Sequence, residues 1–434
     1  MVNDLSSEQR NWRIRIFAIT WLAYAGFYLC RKNISIVMIE LEKIGFDKGY
    51  LATIITLYSL FYALGQFSSG VLSDRFGPRR IVGAGLLVSA AANILMGFWA
   101  NMLIVLMILA CVNGMAQSTG WSGLVKNMAN WFRPKERGIV MAWWGTNYVL
   151  GGLIATSFTT YCVYDLPFFT ELGWQRGFWI PSILLSIVGV SFILITRNKP
   201  TEAGIPEIVV EEKISDSARL ADSKLSESAK SIKIYKEVLA NPSVWLIAMM
   251  YFFLKLTRYS FLFWLPFYMT EHLGYTGSEA GYTSVVFELV GFMGAIFAGY
   301  ASDKLFQSRR MPVGAIMLWM LALVFLVHPT LAGWSHFGNA IGIGLIGFFT
   351  FGPDTLMTGA GAQDAGSKHM AATAAGFING VGSFGQMCSA YVVWWVTETY
   401  GWNSLFYLFV VFAFIGGCIL SLRWNHKAAT PENE

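Results

Sequence analysis

Gly70-Val71-Leu72-Ser73-Asp74-Arg75 returns later in the chain as Gly299-Tyr300-Ala301-Ser302-Asp303-Lys304, and this echo decides the fold. Each copy sits where an apolar run gives way to a short charged turn. Two further matches keep the same order at nearly one offset: Gly173-Trp174 returns as Gly401-Trp402, and Arg31 returns as Arg258. One such match would mean little. Three in register argue for a duplicated unit.

Working outward from the first copy, apolar segments fall at Ile16–Ile39, Leu51–Leu72, Ile81–Trp99, Leu103–Val125, Ile139–Cys162 and Phe178–Ile195. Around the second copy they fall at Val244–Met269, Ala280–Gly299, Val313–Val327, Phe337–Gly359, Ala371–Val396 and Leu405–Leu422. A bilayer crossing needs about 20 apolar residues. The chain of 434 residues is 55% hydrophobic, 16% aromatic and 13% charged, against about 25% charged in a soluble domain. A shortage spread over the whole length predicts an all-α integral membrane protein rather than a soluble domain with one anchor. The predicted architecture is twelve transmembrane helices in two pseudo-symmetric six-helix bundles. Residues 1–196 form the first, 197–241 a polar linker rich in Ser, Lys and Glu, and 242–434 the second with a short tail. Parallel six-helix halves of this kind bind substrate near the midplane.

Cytoplasmic loops collect Lys and Arg. With both termini and the linker on one side, only Lys43, Lys48 and Arg176 among the cations outside the spans fall on the other. The termini are therefore expected to face the cytoplasm. The polar N-terminus precedes an apolar run with no small-residue cleavage site, so that run is expected to be retained as a first helix. A net charge of +5 sits in loops and does not make a nucleic-acid surface. The five cysteines (Cys30, Cys111, Cys162, Cys388, Cys418) lie in apolar runs without metal-ligand spacing and read as buried free thiols. No metal cluster, nucleotide loop or nucleophile constellation is present in the sequence, so no enzyme, cofactor or metal site is expected.

Tyr28-Leu29-Cys30-Arg31-Lys32-Asn33 places two cations inside the first span. Each costs on the order of 3 kcal/mol on insertion scales, so they are expected to face a cavity or a partner. Arg31 is related by the repeat to Arg258, which puts the two on opposite sides of one expected central cavity. Lys255, three residues before Arg258, shares its helical face. Guanidinium forks match phosphate oxygens with paired hydrogen bonds. Lys32 points about 100° away from Arg31 around the helix; snorkelling, a structural role and ligation all stay open for it. Glu288, mid-span 8, is read either as a releasable partner of Lys255 or Arg258 or as a static pair. Asp354, after Gly352-Pro353, is read as lying in a broken helix that lines the cavity. The five histidines (His272, His328, His336, His369, His426) fall at span ends, in loops or in the tail, which leaves no mid-membrane histidine relay.

Gly70-x-x-x-Asp74-Arg75-x-Gly77-Pro78-Arg79-Arg80 resembles the signature loop of the major facilitator superfamily, and Gly299–Arg310, with Asp303, its second-half copy. The turn reads as a glycine turn whose Asp74 caps a helix N-terminus and pairs with a nearby Arg, latching one conformation. Arg31-Lys32-Asn33-Ile34-Ser35-Ile36-Val37, Asn113-Gly114-x-x-Gln117-x-x-Gly120-Trp121, Asn130-Trp131-Phe132-x-x-x-Glu136-Arg137-Gly138 and Lys255-Leu256-x-x-Tyr259-x-Phe261-Leu262-x-Trp264-Leu265-Pro266 are similar to the organophosphate:phosphate antiporters over essentially the whole chain. The span-4 and span-7 strings look closest to the branch that includes eukaryotic sugar-phosphate exchangers. The resemblance implies exchange of glycerol 3-phosphate or a sugar phosphate for inorganic phosphate, with Arg31 and Arg258 as phosphate ligands. On it Trp121, Asn147 and Tyr148 are read as sugar or glycerol contacts, with plain packing the alternative. It further implies a multi-pass protein of the cell's inner or plasma membrane, in contact with lipid, working as a monomer. Bacterial glycerol-phosphate members carry Lys where this chain has Gln66 and His where it has Tyr148. Many members also place Asp where this chain has Phe263, so the organic moiety is left open and Lys255 is read as a replacement for the span-2 charge. Some relatives sense hexose phosphate without transporting it; a sensor and a proton-coupled anion symporter are the competing readings, with Glu288 or Asp354 as the proton carrier in the second.

Overall fold

The computed structural model describes residues 6–133, 136, 140–141, 143–206, 235–365 and 371–425. Several features named above lie outside the described residues: most of the linker (207–234), Lys135, Arg137, Gly138, Ile139, Lys368, His369, His426 and Lys427. Every long element described is a helix. They are α1 (Ser7–Lys43), α2 (Lys48–Phe76), α3 (Pro78–Phe98), α4 (Leu103–Trp131), α5 (Thr146–Thr160), α6 (Arg176–Ile195), α7 (Pro242–Leu273), α8 (Gly277–Tyr300), α9 (Arg310–Trp334), α10 (His336–Leu356), α11 (Ala371–Tyr400) and α12 (Trp402–Ser421). The helices overrun the apolar segments read from sequence. α1 starts nine residues before Ile16 because Ser6 and Gln9 form a reciprocal capping box.

Among the described residues eight helices are long and apolar enough to cross a membrane by length and composition, and α2 joins them as a span bent by 48° between Gln66 and Ser68. Ser68 and Ser69 hydroxyls there donate back to the carbonyls of Gly65 and Gln66 at 3.0 and 3.2 Å, which competes with the helix ladder and bends it. α1 and α11 stay outside the set for reasons that bear on function. α1 carries Arg31, Lys32 and Asn33, and α11 carries Asn379, Ser383, Gln386 and Ser389, while α5 passes into a π turn at Tyr161–Asp165. The four most apolar spans are α3, α6, α9 and α12. Every third helix is thus suited to lipid, and the polar side chains concentrate on the others.

Two compact units divide the chain: Met1–Val210 with Leu262–Val285, and Glu211–Phe261 with Val286–Glu434. In the first, Phe27, Trp131, Trp144, Leu185 and Phe192 form part of a buried apolar core. That unit includes the last turns of α7 and the start of α8, where Lys48 pairs with Glu271 and the Tyr282 hydroxyl donates to Asp165 at 2.7 Å. In the second, Phe261 is surrounded by the rings of Phe287, Phe325, Phe406 and Phe409, with centroids 5.6 to 6.0 Å away.

Internal symmetry shows in the helix crossings. A Cβ at Gly114 of α4 would collide with the Tyr58 carbonyl of α2, and one at Gly347 of α10 with the Phe287 carbonyl of α8. Likewise Gly151 of α5 lies against the backbone of Ala25 in α1, and Gly385 of α11 against the Phe252 carbonyl in α7. Small residues let backbones approach where no hydrophobic force draws helices together. The equivalent helix pair meets through a glycine in each unit.

Candidate anion-binding site

Arg31 is buried in the middle of α1. Its Nε donates to Gln117 Oε1 of α4 at 2.8 Å, and its Cζ lies over the rings of Tyr28 and Tyr62 at 4.6 and 5.0 Å. Gln117 is itself pinned: its Nε2 donates to the Phe27 carbonyl at 3.1 Å and to Ser89 Oγ at 3.2 Å, while the Tyr58 hydroxyl donates to Oε1 at 3.2 Å. Below it, Asn113 donates to the Cys30 carbonyl at 2.9 Å, and Asn33 donates to Asn93 at 2.9 Å. This amide ladder joins α1, α3 and α4 and holds the guanidinium from one edge. At the other edge Arg31 Nη2 is buried with no acceptor among the described residues. Leaving a charged donor buried and unsatisfied costs upward of about 1–3 kcal/mol. The neighbours that meet it are neutral: the faces of Tyr28 and Tyr62, the Gln117 amide and the Tyr58 hydroxyl. The arrangement is ready for an anionic oxygen.

The second unit places Arg258, Lys255, Glu288 and Asp354 among its buried polar residues. Arg258 Nη1 pairs with Asp354 Oδ2 at 2.7 Å, and its Cζ lies 4.6 Å from the Phe351 ring centroid, one turn earlier on the same α10 face. Lys255 Nζ donates to Ser383 Oγ of α11 at 3.1 Å and lies 5.5 and 5.8 Å from the rings of Tyr251 and Tyr259. Glu288 is buried on α8.

Some expectations change. α10 is not broken at Asp354: it runs through Pro353 and Asp354 to Leu356, and the irregularity follows as a π turn at Met357–Gly361. His328 is not at a helix end but inside α9, fully buried, with its ring 4.7 Å from that of Phe406. Lys32 is buried and donates to the Leu262 carbonyl at 3.2 Å. Trp121 is 40% exposed and packs on Tyr24 and Trp144 at 5.2 and 5.5 Å, and Tyr148 packs partly buried on the same core. Asn147 is fully buried, and neither amide atom has a hydrogen-bond partner among the described residues. Gln66 is half-buried on α2, and Phe263 packs edge-on to Tyr58 at 6.1 Å.

At the signature turn, Asp74 lies in the last turn of α2 and pairs with Lys126 of α4, so it does not cap a helix N-terminus, and among the described residues no arginine pairs with it. The reason is local. Gly77, at φ +85, turns the chain so that Pro78 opens α3, leaving Asp74 at a helix C-terminus where a cation offsets the dipole. Arg75 lies over Phe76 at 5.2 Å, and Arg79 Nε donates to the Ile193 carbonyl at 2.6 Å. In the second copy Asp303 does pair with an arginine, Arg310, which also meets Asp364 at 3.2 Å. Glu136 pairs with Arg13. Burial pushes the Glu136 carboxyl up, but the Arg13 hydrogen bond and the Arg133 N–H outweigh it and hold it below the ordinary glutamate value.

Sequence reasoning missed Gln117, Phe351 and Ser383 as functional neighbours. For Gln117 a signal existed, since Asn113 and Gln117 stand four apart on one face of an otherwise apolar helix.

Helices graded from lipid-like to polar, with buried arginines at repeated positions, define a multi-pass membrane transport protein rather than an enzyme. The chain belongs to the Major Facilitator Superfamily, whose model matches residues 20–390. It is 29% identical to the glycerol-3-phosphate transporter of Bacillus subtilis, over 98% of this chain and 95% of that one. It is 27% identical to a probable hexose phosphate transport protein of Chlamydia pneumoniae, over 99% and 94%. A bacterial homologue of the human lysosomal transporter Spinster, solved in an inward-facing unoccupied conformation, superposes with a TM-score of 0.77 over 97% of this chain and 99% of that one. At 14% identity that likeness speaks for the fold alone. These relatives accord with the organophosphate:phosphate antiporter family that the motifs resemble.

Proposed function

We propose that the chain exchanges an organophosphate, glycerol 3-phosphate or a sugar phosphate, for inorganic phosphate by alternating access. Arg31 and Arg258 serve as its anion-binding residues. The observation that carries this reading is the Arg31 guanidinium, fixed at Nε by Gln117 and left with Nη2 unsatisfied in a neutral, buried setting. A phosphate monoester brings nearly two negative charges and three acceptor oxygens, the complement of that edge. Asn147 supports an organic moiety bearing hydroxyls, since its buried amide gains a partner from a polyol and none from packing. Both named relatives handle phosphorylated small molecules. In this reading Lys255, Glu288, Trp121 and Tyr148 shape the site, and the turns at Asp74, Arg75, Arg79 and Asp303 take part in conformational exchange. The termini and residues 197–241 lie on the cytoplasmic side, and the protein works as a monomer.

Exchange follows from electrostatics. Moving the buried Arg31, which no acid among the described residues offsets, through a dry state costs several kcal/mol, so the loaded carrier reorients faster than the empty one. The test is release of radiolabelled phosphate from proteoliposomes. External glycerol 3-phosphate, glucose 6-phosphate or 3-phosphoglycerate should accelerate release manyfold over buffer. Equal release with and without external substrate would remove exchange. A protein that binds a sugar phosphate yet moves no phosphate is a sensor, and accumulation driven by a pH gradient without phosphate inside marks a symporter.

A further inference from the structure

Asp354 holds a buried position that neither the repeat nor the anion-binding reading requires. It is the buried aspartate among the described residues, and the buried Tyr251 hydroxyl hydrogen-bonds to it. Oδ2 meets Arg258 Nη1 at 2.7 Å, while Oδ1 is buried with no donor among the described residues. A static buried ion pair is stable only when its remaining lone pairs are also hydrogen-bonded. With Arg258 and the Tyr251 hydroxyl as its partners, the carboxylate is still short of a well-formed hydrogen bond at Oδ1 among the described residues. Its backbone is compliant as well: Pro353 beside it supplies no N–H to the helix ladder, and a π turn begins three residues later. Arg258 has support that does not depend on Asp354, because the Phe351 ring lies against its guanidinium.

We propose that Asp354 is a displaceable internal counter-anion: it neutralises Arg258 when no substrate is held there, and incoming phosphate oxygens take its place. This rests on the reading of Arg258 as an anion-binding residue. Phosphate and Asp354 then compete for one guanidinium, so the second unit binds phosphate below the affinity its arginine alone would give. The competition also eases release, since the departing anion leaves behind a paired rather than a bare arginine.

The experiment is equilibrium binding of radiolabelled inorganic phosphate to the full-length protein in detergent, wild type against Asp354→Asn. The variant removes the competitor and keeps the side-chain shape. Its affinity should rise about tenfold, the size expected for one charge-assisted hydrogen bond, and phosphate release in proteoliposomes should slow. Equal or weaker affinity in monodisperse Asp354→Asn overturns the proposal. The wild type supplies a second measurement that needs no variant. With carboxyl-13C aspartate incorporated, infrared difference spectra on adding phosphate should show a carboxylate band shift, and a silent aspartate region overturns the proposal. A wild type that binds no inorganic phosphate at millimolar concentration sinks the anion-site reading itself, and this inference with it.

Discussion

Arg31 and Arg258 occupy equivalent places in the duplicated sequence, yet the protein treats them differently. Arg31 is held by a neutral amide between two tyrosine rings. Arg258 is held by a carboxylate against a phenylalanine ring. The first is a buried cation that no acid of the protein offsets among the described residues; the second carries its own anion. Meanwhile the helix crossings around them match, with Gly114 on Tyr58 answering Gly347 on Phe287. Duplication has kept the packing and let the charge diverge. Packing is shared because backbone approach tolerates no extra atom, whereas a polar partner changes with one substitution.

The largest effects should therefore follow the arginines, and unequally. Arg31→Lys keeps the charge but cannot bond Gln117 and present a second donor edge at once. Losing a fork of charge-assisted hydrogen bonds, each about 1.5–3 kcal/mol, predicts a fall in phosphate affinity on the order of a hundredfold. Arg258→Lys should cost less, because a lysine still neutralises Asp354. Phosphate binding to both variants checks the order. Near wild-type affinity in Arg31→Lys would break the fork argument outright.

The shared packing makes the next prediction. Gly114→Ala and Gly347→Ala each drive a methyl group into a backbone carbonyl across a helix pair, and overpacking costs about 1–3 kcal/mol. Both should lower the thermal unfolding midpoint in detergent by similar amounts. A large loss in one and none in the other would show that the matching crossings are not equally tight.

The symmetry was legible in the sequence, and the asymmetry was not. Gly70–Arg75 and Gly299–Lys304 are local strings whose order survives translation into helices, so the helical plan and the places of Arg31 and Arg258 could be read directly. The Arg258–Asp354 pair joins α7 to α10 across 96 positions, and no periodicity links residues that far apart. Gln117 was visible as part of a motif, but its role depends on rotamers that lock Nε and leave Nη2 open. At Asp74 the motif shows an aspartate near an arginine and says nothing of Lys126 on a neighbouring helix. His328 misled because apolar patterning ended at Val327, while α9 continues to Trp334.

Gln117→Glu sharpens the comparison most directly, since it gives the first unit the charge pattern of the second. Glutamate matches glutamine in shape, so Oε1 still reaches Arg31 Nε, but the amide donor to the Phe27 carbonyl and Ser89 is lost. Charge then competes where only dipole did before. Phosphate affinity should fall about tenfold, less than for Arg31→Lys because the fork itself survives. Combined with Asp354→Asn, the substitution moves the internal anion from one unit to the other, and binding should return toward the wild-type value. Under the proposal that Arg31 and Arg258 bind one anion, the two substitutions depart from additivity, so the informative quantity is the sign of the double variant relative to Gln117→Glu alone. A double variant that binds phosphate no better than Gln117→Glu would mean that the carboxylate on α10 and the amide on α4 do not answer one another, and that the contrast between the two arginines is structural only.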